Sequence, residues 1–288
     1  DLIAYKLDLD LFDYQTFLGC GAAAGIAGLF HAPLGGIMFV TEILFNKIDK
    51  NRLMMVTISA ISADMIIRWS GEDLFLAHIN LGQVGNVYNF ITAAVIGLFA
   101  AFFAVVFIYT LRNLSNIFDK LKINIILKPA LGGLLLGMIA FKIPEIMGSG
   151  NRIIVSLFNQ REYDLSFLFL LLIFKILATG LTLGSGGSGG IFSPALFIGS
   201  LTGIIIGILS HQLLPFLAGS ASLYALIGMA AVISAVIRAP LTATFIILEF
   251  THNYSLIIPL LITSLIAERA ASMSGLESAY SPTYFERL

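Results

Sequence analysis

From Phe90 to Leu111 the chain runs for 22 residues without an Asp, Glu, Lys or Arg. At about 1.5 Å of rise per residue, a helix of that length crosses the roughly 30 Å hydrocarbon core of a bilayer. Charge is also missing from the whole of Leu74–Leu111 and from Ile176 to Ile237. Soluble domains average about 25% charged residues. This 288-residue chain has 11%, with 58% hydrophobic residues and a mean hydropathy of +0.95. It cannot coat a globule with hydrated surface, which argues against a cytosolic enzyme, a nucleic-acid binder and a disordered protein. A net charge of −1 indicates no polyanionic partner. Cys20 is the single cysteine, so no intrachain disulfide or thiolate metal cluster is expected. His31, His78, His211 and His252 fall at no metal-ligand spacing. No cofactor is indicated, and the class is a multi-span integral membrane protein.

Apolar segments fall near 15–30, 32–46, 53–69, 90–111, 126–142, 165–182, 191–213, 223–237, 240–250 and 255–272. Several are too short to cross a bilayer alone, and Gly or Pro (Pro33, Pro194, Pro240) interrupts many. Non-helical backbone at membrane depth survives only where protein shields it or water reaches it. The pattern therefore predicts a transporter or channel with broken helices. Lys47, Lys50 and Arg52 follow one segment, and Arg112, Lys120, Lys122 and Lys128 follow another two spans later. The intervening loop, Ser70–Asn89, holds Glu72 and Asp73 and no basic residue. Basic loops favour the cytoplasm, so both clusters are expected there and the loop outside. The acidic start of the chain (Asp1, Asp8, Asp10, Asp13) has no basic leader pattern, so no secretory signal is expected from it. Asp64 and Arg68, spaced i, i+4, predict a local ion pair.

Two segments match at an offset of 207: Gly21–Glu42 and Gly228–Glu249. Eight of 22 positions are identical, including the Ala-Pro-Leu of Ala32–Leu34 and Ala239–Leu241 and the terminal Glu42/Glu249 pair. Repeats of this kind characterise transporters of inverted topology, whose broken helices point their ends at the substrate near the midplane. Arg238 and Glu249, in the second copy, are expected to be structural.

Five of the seven residues from Gly184 to Gly190 are glycine, and Ile-Phe-Ser-Pro follows. Glycine lets the backbone turn sharply and bring N–H groups close to a ligand. A helix starting there leaves first-turn N–H groups without intrahelical acceptors, at the positive end of the helix dipole. The result suits a permeant anion, because conduction requires binding weak enough to permit exit. Close helix packing is the competing explanation. Gly186–Gly189 also fits a G-x-S-G pattern, so an intramembrane serine hydrolase is a distant alternative; it would require His211 or His252 beside Ser188.

The run Gly184–Gly199 resembles the G-x-F-x-P filter segment of the CLC family of chloride channels and chloride–proton antiporters, here Gly190, Ile191, Phe192, Ser193 and Pro194. Cys20–Glu42 and Gly228–Tyr254 resemble the family's two matching helix pairs, and Ala279-Tyr280-Ser281 the segment whose tyrosine hydroxyl faces the central anion. The resemblance implies an all-α integral membrane fold of two inverted repeats, about 1–125 and 126–288, in a single transmembrane domain with broken and re-entrant helices. It implies a homodimer with one pore per subunit, embedded in a plasma or bacterial inner membrane and moving chloride or a similar anion. The N–H groups of Ile191 and Phe192 and the Tyr280 hydroxyl would hold the dehydrated anion; the neighbouring Tyr284 lacks the Ala-Tyr-Ser context.

Three departures follow. The G-S-G-I-P filter is absent; Gly148-Ser149-Gly150-Asn151 lacks the Ile-Pro and is no substitute. The G-x-E-G-P filter with its gating glutamate is absent too, so the chain is expected to be a fragment, and a non-transporting folding or dimerisation partner is the alternative to a transporter. Finally, Ile43 stands where the family's exchangers often carry a proton-transfer glutamate, so proton coupling is not expected through it. Glu42 matches a neighbouring acidic position, with helix-end hydrogen bonding favoured over proton transfer. Lys175, about a dozen residues before the filter, could raise the potential along the anion path or pair structurally. GIFSP argues against the fluoride-exporting branch, and no cytoplasmic regulatory domain is expected after Tyr280.

Overall fold

The computed structural model describes residues 11–45, 49–71, 87–158, 163–213 and 219–281. Lys47, the Glu72–Asp73 stretch, His78 and Tyr284 lie outside the described residues. Every regular element among the described residues is helical. In chain order they are α1 (Leu11–Phe30), α2 (Pro33–Phe39, continued by a π-helical turn at Val40–Leu44), α3 (Lys50–Ser70), α4 (Val87–Lys120) and α5 (Leu127–Lys142). A short 3-10 turn at Pro144–Ile146 leads to α6 (Asn151–Phe158), then α7 (Leu165–Gly184), α8 (Phe192–Leu213), α9 (Ala221–Ile237), α10 (Pro240–Thr251) and α11 (Ile257–Ser272). Five helices are long and apolar enough to span a bilayer, while Pro33–Leu44, Ala221–Ile237 and Pro240–Thr251 are shorter apolar helices. Each of the ten apolar segments predicted from sequence contains a helix among the described residues; α6 is the α-helix the sequence did not announce.

The chain divides into two compact units, residues 1–78 with 241–257, and residues 79–240 with 258–288. In the first unit, α1 ends at His31, whose φ of 50° is left-handed, and Ala32-Pro33 then starts α2. Proline suits that place, since a first-turn N–H has no intrahelical partner to lose. In α3, Arg52, Val56, Ala60 and Asp64 are buried at four-residue spacing. Its other side exposes Met54, Ile58, Met65, Ile66 and Trp69, an apolar stripe fit for hydrocarbon rather than water. The Asp49 carboxylate caps α3, accepting from the Asn51 N–H at 3.1 Å. Asp64 makes the predicted pair with Arg68 at 2.8 Å and also meets buried His31 at 3.1 Å.

In the second unit, α9 is buried from Ser222 to Ile237 and packs against α8 and α4. The crossing of α8 and α9 requires glycine: a Cβ on Gly199 would press on the Gly228 carbonyl, and one on Gly228 on the Gly199 carbonyl. Backbones meet closely here because small residues, rather than large apolar side chains, drive helix contact in lipid. Ser220 caps α9 through the Leu223 N–H at 3.1 Å, and the Ser234 hydroxyl donates to the Ser264 carbonyl at 2.7 Å, joining α9 to α11.

Candidate functional site

The glycine-rich stretch is a helix stop followed at once by a helix start. At the end of α7 the Gly187 N–H donates to the Thr182 carbonyl at 2.9 Å, and the Gly186 N–H to the Leu183 carbonyl at 3.0 Å. This pair of bonds is a Schellman cap, which needs a left-handed residue; Gly186 supplies it with φ 84°. Four residues after Gly187, Ile191 caps α8: its carbonyl accepts the first ladder bond, from the Ala195 N–H at 3.0 Å. The amides of residues 191–193 thus precede the helix's own hydrogen-bond ladder, and Pro194 occupies a first-turn position that tolerates the missing N–H. Gly190 is exposed and Ile191 buried, so the change of burial falls within the predicted filter.

A cleft of about 390 Å³ opens on this segment, lined among others by Gly190, Ser193, Pro194, Lys175, Thr179 and Gly148. Lys175 is 2% exposed. Its ammonium donates to the carbonyls of Ile146 at 2.8 Å and Gly148 at 2.6 Å, and lies 5.0 Å from the Phe197 ring centroid. Among the described residues no carboxylate pairs with it; carbonyl dipoles and a ring face hold the charge. The Gly148-Ser149-Gly150 string forms a turn, with φ of 62° and 81° at its glycines, and its Gly148 and Ser149 line the same cleft. The structure therefore brings Gly190, Ser193, Pro194 and Lys175 around one space. Ile191, Phe192 and Tyr280 are not part of its lining. Tyr280 is half-buried, one residue beyond buried Ala279, whose N–H donates to the Val236 carbonyl at 3.0 Å. Ser188 is exposed, and no hydrogen bond joins it to His211 on α8.

Glu42 and Ile43 lie in the π-helical turn that ends α2, both half-buried. The Glu42 carboxylate accepts from the N–H groups of Leu241 at 3.0 Å and Thr242 at 2.6 Å, and from the Thr242 hydroxyl at 2.6 Å. It thus caps α10. Glu249 does the same for α2, accepting from the N–H groups of Leu34 at 3.1 Å and Gly35 at 2.9 Å. The α2 N-cap residue, Ala32, has no side-chain acceptor of its own. Sequence reasoning missed these partners, although the repeat offset carried the signal: residues 42, 34 and 35 map onto 249, 241 and 242.

Broken apolar helices, paired Ala-Pro-Leu helix starts and a glycine-rich stop-and-start in the chain define a multi-pass membrane protein of the inverted-repeat kind. Residues 3–272 match the model of the voltage gated chloride channel family, and the chain belongs to that family. It is 30% identical over 281 residues to a protein of Ralstonia nicotianae named as ClcB-like, a match covering 97% of this chain and 65% of that protein. It is 35% identical over 276 residues to a protein of Vibrio cholerae named as the H(+)/Cl(-) exchange transporter ClcA, covering 93% of this chain and 58% of that one. The crystal structure of a slow cyanobacterial Cl-/H+ antiporter is similar with a TM-score of 0.87 at 25% identity, over 99% of this chain and 68% of that one. The chain spans about three fifths of the length of the curated relatives it matches.

Proposed function

We propose that the chain forms part of an anion pathway and moves chloride or a similar monovalent anion across a membrane. The observation that carries this reading is the stop-and-start at Gly184–Pro194, which leaves a short run of amides ahead of the α8 ladder beside a cleft whose buried charge is Lys175. Amides and one recessed ammonium attract an anion without binding it so firmly that it cannot leave. On this reading the N–H groups of Ile191 and Phe192 and the Tyr280 hydroxyl contact the dehydrated ion, with Gly190, Ser193 and Pro194 shaping the segment. The protein is a conduit, not an enzyme, and works as a homodimer.

Proton coupling through position 43 is excluded by chemistry, since the Ile43 side chain has no ionisable group. Glu42 has its carboxylate engaged by three donors of α10, which supports a structural rather than a proton-carrying role. The reading is tested by reconstituting the intact protein in liposomes and following chloride release. Tyr280→Ala and replacement of residues 190–194 by alanine should each slow release at least about tenfold, the worth of one hydrogen bond to a charged group. Release unchanged by both would reject the assignment.

A further inference from the structure

The segment between α11 and Tyr280 has no regular structure, yet its backbone is clamped. The Arg238 guanidinium donates through Nη2 to the Leu276 carbonyl at 3.1 Å and through Nη1 to the Glu268 carbonyl at 2.9 Å. Arg112, from α4, donates to the Glu277 carbonyl at 2.9 Å, with the Glu277 carboxylate at 3.9 Å. The Ala279 N–H donates to the Val236 carbonyl at 3.0 Å. The Ser281 hydroxyl closes the turn onto the Glu277 carboxylate at 2.9 Å. Three of the four residues before Tyr280 thus have a backbone group fixed from another helix.

Arg238 is also an anomaly in its own helix. It ends α9 in the left-handed conformation, φ 61° and ψ 39°, where glycine is the usual residue. A non-glycine residue there costs about 1–2 kcal/mol. Arginine at this position reaches two carbonyls with separate nitrogens of one planar guanidinium; glycine has no side chain to do so, and a lysine would have to serve both from a single nitrogen. The backbone of Leu276 to Ala279 cannot satisfy itself as a helix would, so the fork supplies both order and a hydrogen-bond partner.

We propose that Arg238, assisted by Arg112, is a positioning residue for Tyr280: it holds the chain that presents the tyrosine hydroxyl to the permeant anion. The inference rests on the reading that Tyr280 contacts that anion. Releasing the clamp should leave the helices in place and let the hydroxyl wander, so anion affinity falls while the fold survives.

Chloride affinity of the intact purified protein, measured by isothermal titration calorimetry, provides the test. Arg238→Asn is the main variant, because asparagine tolerates the left-handed backbone. Tyr280→Phe should weaken chloride by about tenfold, and Arg238→Asn and Arg112→Gln by about threefold or more, with Arg238→Lys intermediate. In the Tyr280→Phe background, Arg238→Asn should add less than about twofold, the coupling expected of residues acting through one group. Unchanged affinity in Tyr280→Phe overturns the tyrosine reading and this inference with it. Loss in Tyr280→Phe but not in Arg238→Asn overturns the inference alone, as does an additive double variant. If Arg238→Asn does not fold, Arg112→Gln is judged by the same criteria.

Discussion

Glu42 and Glu249 each cap the helix that carries the other: Glu42, at the end of α2, accepts the first N–H groups of α10, and Glu249, on α10, accepts those of α2. The exchange follows the 207-residue offset at every position involved. The shared offset thus gives one such contact twice. Helix starts at Ala-Pro cannot cap themselves, because alanine offers no side-chain acceptor. The repeat therefore preserves the glutamate together with the Ala-Pro-Leu it serves.

Removing either carboxylate strands two amide donors. Glu42→Ala and Glu249→Ala should each destabilise the protein by about 1–3 kcal/mol, and Glu42→Gln by less, since an amide oxygen still accepts. Thermal unfolding in detergent measures this. Equal stability of Glu42→Ala and wild type would show that the α10 cap carries no weight.

Gly190 separates function from folding. A Cβ there would meet nothing within 4 Å. Gly190→Ala should leave stability within about 0.5 kcal/mol of wild type, as for other unobstructed surface changes. Any fall in chloride release then reports on the proposed filter segment. Gly228→Val is the contrasting variant: its side chain would strike the Gly199 carbonyl, and a loss above about 3 kcal/mol or failure to fold is expected.

Lys175 supplies both a clamp and a charge. Lys175→Met leaves the Ile146 and Gly148 carbonyls without their donor and empties the cleft of its cation. Chloride release should fall most at low chloride, as expected when a local positive potential no longer concentrates the ion. Lys175→Arg keeps the charge and should retain most of the low-chloride rate. Equal loss in both variants would mark Lys175 as a clamp alone.

Ile43 makes a simple electrical prediction. With chloride gradients fixed, imposing a pH gradient across liposomes should leave the reversal potential where chloride alone puts it. A shift towards the proton equilibrium potential would show a proton route that does not use position 43.

How much of this was legible in sequence depended on the range of the interaction. The spans, the glycine-rich stop and the helix restart at Phe192 are local features, set by apolar runs, Gly186 and Pro194 within a few residues of one another. Lys175 was singled out as a charge in apolar surroundings, but its carbonyl partners lie 27 and 29 residues earlier in the chain. The span predicted to end at Leu111 continues as helix to Lys120, because Arg112 and Lys120 are good helix formers and the backbone ladder does not stop at a charge. The eight-residue α6 was too short to stand out beside longer apolar runs. The caps of Glu42 and Glu249 and the Arg238 fork join residues brought together only by the fold.

The amides ahead of α8 are most directly tested by bromide, whose anomalous scattering locates it in crystals of the intact protein. The account predicts a peak within about 3.5 Å of the Ile191 and Phe192 nitrogens, the reach of an amide donor to a large anion. An occupied bromide site elsewhere along the pathway, with no density beside those nitrogens, would contradict it.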